Sequence, residues 1–166
     1  LLDLKTLGQE QRAVADRGAI LNLRYNSGDI IPGAWVRVRG TASSQLRDIA
    51  ERNKRQAAKL LASGKEDRLH DVDRQNEKTI ELLCAAFIEA APGLVYRGEQ
   101  ITSANIAAAL ADEDSKDSLT MPMLIFCAEK SNFPEATALT SATTSISTGP
   151  TAASPSSPPS PLTSSL

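Results

Sequence analysis

Residues 34–64 read AWVRVRGTASSQLRDIAERNKRQAAKLLASG, and a change of period inside this stretch decides the fold class. From Ala34 to Arg39 the side chains alternate as they do in a strand. Val36 and Val38 face one way, and Trp35, Arg37 and Arg39 the other. Gly40 ends the run. Ser43 or Ser44 then supplies a helix cap, and apolar residues recur at helical spacing as Leu46, Ile49, Ala50, Ala57, Leu60 and Leu61. Ser63-Gly64 stops this helix near Ala62. Its other face carries Arg47, Arg52, Lys54, Arg55 and Lys59 against Asp48 and Glu51 alone.

Upstream, residues 19–25 alternate again, with Leu21, Leu23 and Tyr25 on one face. Asn26-Ser27-Gly28-Asp29 is a turn, so the two alternating runs form a hairpin or meander whose return strand is interrupted by Pro32-Gly33. Residues 3–17 form a weakly amphipathic segment that suits a short helix. Downstream, a second helix is expected from about Glu66 to Ala90, polar in its first half and apolar at Ile80, Leu83, Cys84, Phe87 and Ile88. The short Ser-Gly turn makes the two helices antiparallel. Pro92-Gly93 breaks the pattern. A tiny strand pair follows around an Arg97-Gly98 turn, then a Thr102- or Ser103-capped helix over 104–111. A last helix begins near Thr120 or Met121, with Pro122 in its first turn. The expected architecture is α+β: an N-terminal hairpin packed with about four helices.

Composition sets the domain boundary. Every charged residue lies at or before Glu135, and Ala136 to Leu166 is almost entirely Ser, Thr, Pro and Ala. Such a segment has little to bury, so a folded domain over 1–135 and a disordered tail over 136–166 are expected. A net charge of −2 argues against a dedicated nucleic-acid binder. Cys84 and Cys127 sit in apolar surroundings without a CxxC, as reduced thiols do. No apolar run approaches bilayer length, and residues 1–17 lack a signal-peptide core, so a cytoplasmic protein is expected.

Catalytic chemistry is hard to assemble from these residues. His70 is the only histidine; on a continuous helix Glu66 and Asp73 would share its side, yet no fourth ligand joins them, and no metal site is assigned. Cys84 lies fourteen residues beyond His70, about 21 Å along a helix, so the two make no dyad. The acidic run Asp112, Glu113, Asp114 and Asp117 lacks a calcium loop's glycine and terminal glutamate and reads as a solvated loop. No cofactor-binding motif is present. Residue type instead points to protein contact, with Trp35, Arg37, Arg39, Arg52, Arg55 and Lys59 as candidate partner-binding residues.

The stretches GLVYRGEQITSANIAAALADED (93–114) and MPMLIFCAEKSNFPEA (121–136) resemble the C-terminal half of tail assembly chaperones of long-tailed bacteriophages. Its marks are the glycine turn Arg97-Gly98-Glu99, a capped helix with Thr102, Asn105 and Leu110, and a closing Asn132-Phe133 pair. The resemblance extends over about residues 1–135. It implies a non-enzymatic protein of the bacterial host's cytoplasm, absent from the mature virion. Such a protein would bind the tape-measure protein and help recruit tail-tube subunits, with self-association also open to it. Alternatives are a structural tail or head–tail connector protein, which would be richer in strand, and a small regulatory or inhibitory binding module.

Overall fold

The computed structural model describes residues 3–134; the tail expected over 136–166 lies outside them. Helix α1 (Leu4–Arg17) is capped by Asp3, whose carboxylate accepts from the Lys5 N–H at 3.0 Å. Strands β1 (Ala19–Arg24) and β2 (Ile30–Val38) form the expected antiparallel hairpin, with Leu21 opposite Val36 and Asn22 opposite Trp35. Gly18 sits between α1 and β1 at φ 75°. A Cβ there would meet Ile88 Cδ1 at 2.6 Å and the Val38 carbonyl oxygen at 2.7 Å, so both conformation and space require glycine.

Helix α2 (Ser44–Ala62) starts at Ser43, whose Oγ accepts from the Leu46 N–H, and ends before Ser63 and Gly64 as its sequence predicts. The long second helix is not continuous. Residues Glu66–Leu69 form a 3-10 turn, Asp71 caps a new start by accepting from the Asp73 N–H at 3.1 Å, and α3 covers Val72–Ala86. At Phe87 the backbone becomes extended, and β3 (Phe87–Ala90) pairs antiparallel with β2. Apolar periodicity runs through Phe87 and Ile88 without a break, which hides this change. Their bulky and β-branched side chains suit a strand once the free edge of β2 offers hydrogen bonds.

The sheet order is β1-β2-β3. A second pair, β4 (Val95–Tyr96) and β5 (Glu99–Gln100), turns through Arg97 at φ 51° and Gly98 at φ 84°, positive at both positions as a tight hairpin requires. Helix α4 (Ile106–Ala111) is shorter than expected. Glu113–Ser115 and Lys116–Thr120 are 3-10 and π turns rather than a loop, and lead directly into α5 (Met121–Ala128). That helix ends four residues before Asn132, with a 3-10 turn over Lys130–Asn132 after it. Among the described residues no helix is long and apolar enough to cross a membrane.

The core lies between the inner face of the sheet and the helices. Val36, Val38, Leu83 and Met123 are fully buried there, together with Leu46, Ile106 and Cys127. Asn105, Asn132 and Phe133 hold local structure in place. The Asn105 side chain accepts from the Thr102 N–H and donates to the Gln100 carbonyl, both at 2.8 Å. Asn132 Nδ2 donates to the Phe126 carbonyl, and Phe133 meets the Phe126 ring edge-on at 5.7 Å.

Candidate functional site

Strand geometry leaves one face of the sheet uncovered. With Val36 and Val38 inward, Trp35 and Arg37 project outward from β2. Ile20, Asn22 and Arg24 share that face from β1, and Glu89 from β3. Ile20 is 46 % exposed, Asn22, Arg24 and Glu89 are exposed, and Trp35 is half-buried without belonging to the core cluster. Arg37 and Glu89 pair across the strands at 3.3 Å. The result is a shallow face with an aromatic anchor, a neighbouring aliphatic side chain and a charged rim.

Arg39 belongs elsewhere. The strand ends at Val38, and the Arg39 guanidinium turns to donate to the carbonyls of Ala85 and Phe87 at 2.9 and 3.3 Å. Its backbone N–H donates to the Ala86 carbonyl at 2.8 Å. Arg39 thus satisfies the carbonyls freed where α3 becomes β3. Arg39→Ala should lower stability by about 1–3 kcal/mol, because it leaves two half-buried carbonyls short of a donor. A shift in urea midpoint with an unchanged slope would report this.

The basic face of α2 is partly neutralised. Arg52 pairs with Glu81 of α3, and Arg55 with Glu51 one turn away at 3.5 Å. Lys59 makes no ion pair among the described residues. The two candidate patches do not merge, since α2 packs on α3 and α1 while Trp35 and Arg37 lie on the outer sheet face. Glu66, His70 and Asp73 occupy a 3-10 turn, the break after it and the first turn of α3, so they share no helix face. Among the described residues no group of three His, Cys, Asp or Glu side chains is arranged to hold a metal ion.

A cavity of about 240 Å³ lies between α1, the Gly40–Ala42 turn and the end of α5, with Cys127, Lys130 and Phe133 in its lining. Burial pushes the Cys127 thiol up to about 12 and raises Cys84 as well, so both are protonated near neutral pH. The cavity therefore offers no thiolate nucleophile.

Asp112 is more than a solvated acid, which residue type alone did not show. Its carboxylate accepts from the Tyr96 hydroxyl at 2.6 Å and lies 3.6 Å from Arg97, which stacks over the Tyr96 ring at 5.1 Å. The Tyr96 hydroxyl, then the Asp114 N–H and Arg97, hold Asp112 below its ordinary value of 3.8. The same hydrogen bond raises Tyr96 above its ordinary 10.0. The Asp112 contribution to stability is complete above its unfolded pKa and lost as pH falls through the lower native one. The Tyr96 contribution is complete below its unfolded pKa and lost as pH rises through the higher native one. In Asp112→Asn, spectroscopic titration should find Tyr96 ionising at lower pH than in the parent protein.

No known protein family, curated protein or solved structure matches this chain.

Proposed function

We propose that this protein is a non-enzymatic assembly chaperone of long-tailed phage tails, acting in the host cytoplasm and leaving before the virion matures. On this reading it seats a helix of the tape-measure protein across the outer face of the β1-β2-β3 sheet and helps recruit tail-tube subunits. The observation that carries the reading is that open face, with Trp35 and Ile20 presented beside the Arg37–Glu89 pair. The apolar face of the sheet is already covered by the helices, and an amphipathic helix would add a second layer over the Trp35 and Ile20 side. Trp is a frequent binding anchor, and the charged rim favours a partner that keeps polar residues at its flanks. The reading also draws on the resemblance over residues 93–114 and 121–136. One three-stranded sheet and one two-residue strand pair in a mainly helical domain favour it over a tail-tube or connector subunit.

Co-expression with a tape-measure protein of a long-tailed phage tests the proposal. The partner should stay in the soluble fraction and co-purify, and the chaperone should be absent from finished particles. Equal solubility of the partner alone, with nothing retained, would move the assignment to a small binding module with another target.

A further inference from the structure

The α2–α3 arm divides its charge between its helices: α2 is net basic, whereas residues 66–81 are net acidic. The ion pair between Arg52 and Glu81 joins the two helices and fixes their relative level. From that level, positions 52, 56 and 59 of α2 fall on one side of their helix, and 81, 77 and 73 of antiparallel α3 run beside them. Lys59, Asp73 and Glu77 are exposed there, and their side chains make no ion pair or hydrogen bond among the described residues. One broad face of the arm thus carries the unpaired cation Lys59 on its α2 edge and the unpaired carboxylates Asp73 and Glu77, with Arg74 beside them, on its α3 edge.

Rotating a second copy by 180° about the long axis of the arm lays each basic edge over the other's acidic edge. Arm tips then lie at the same end, and each facing helix pair is antiparallel. We propose that this face is an isologous homodimer interface, in which Lys59 of each copy meets Asp73 and Glu77 of the other in a four-helix arrangement. A second copy is the occupant because a partner must present opposite charges on two edges at matched spacing, and this chain carries that arrangement itself. The interface uses different elements from the outer sheet face, so it stands independently of the tail-assembly reading.

Sedimentation velocity tests it on the full chain. At about 100 µM and low salt the protein should sediment as a dimer, and it should revert to monomer in roughly 1 M salt, where the Debye length is about 3 Å. The double variants Q56E/K59E and D73K/E77K should each self-associate about a hundredfold more weakly, because every exposed charge change counts twice across a two-fold interface. Mixed in equal amounts, the two should pair again, since the reversed basic edge of one then faces the reversed acidic edge of the other. A parent protein that stays monomeric at low salt overturns the proposal, and this measurement needs no variant to fold. Variants that dimerise as tightly as the parent, or a mixture that stays monomeric while both variants keep their helical circular dichroism, overturn it as well.

Discussion

Leu83→Ala should destabilise the domain by about 3 kcal/mol, within the range found for leucine truncation in packed cores. Leu83 is fully buried on the inner side of α3 and shares one core with Val36, Val38 and Met123. Removing its branched end deletes buried apolar surface and leaves a cavity that the rigid sheet on one side cannot collapse to fill. The loss is a large fraction of the roughly 5–15 kcal/mol that holds a domain of this kind. Equilibrium urea unfolding should therefore show a much lower midpoint with little change in slope. A similar truncation at exposed Val72 on the same helix should change stability by less than about 0.5 kcal/mol, which separates burial from helix propensity.

Trp35→Ala should weaken partner binding by about 2 kcal/mol, close to thirtyfold in Kd, while leaving the fold nearly as stable as before. The asymmetry follows from placement. Trp35 lies outside the core cluster, so its removal opens no interior cavity, yet it is the largest side chain on the uncovered sheet face. Loss of the indole removes the central aromatic contact that a seated helix would bury. Arg37→Ala should cost less, because Glu89 already neutralises that guanidinium on a half-exposed surface. Calorimetric titration of each variant, with unfolding curves measured beside it, distinguishes lost contact from lost fold. Equal binding by Trp35→Ala and its parent would mean that the partner sits elsewhere.

The parts of the fold legible in the sequence were those with local cause. Alternation over 34–39, the Ser43 cap and the Ser63-Gly64 stop each act within a few residues, and the hairpin and α2 follow from them. The Arg97-Gly98 turn was likewise visible, although the left-handed conformation of Arg97 was not. What stayed hidden depended on distant partners. Phe87 and Ile88 continue an apolar helical pattern, and only the free edge of β2 makes them a strand. The role of Arg39 depends on that same junction, so residue type placed it with Trp35 and Arg37 when its donors serve Ala85 and Phe87. Glu89 went unseen as the partner of Arg37 for the same reason. The link between Tyr96 and Asp112 crosses from the small hairpin to the end of α4, a distance no sequence period reports. Of the candidate site, Trp35 and its outward direction were readable, whereas the openness of its face required the third strand and the helices to be placed.

Trp35 is the only tryptophan of the chain, so its emission reports directly on the face proposed to seat the partner. Titration with a purified helical segment of the proposed partner, a tape-measure protein, is the most direct measurement. Seating a helix over the sheet should move Trp35 from partial solvent exposure to an apolar contact, giving a saturable blue shift that tracks the bound fraction. Binding that saturates by calorimetry while the Trp35 emission stays unchanged would contradict the account, because the partner would then be held by another surface.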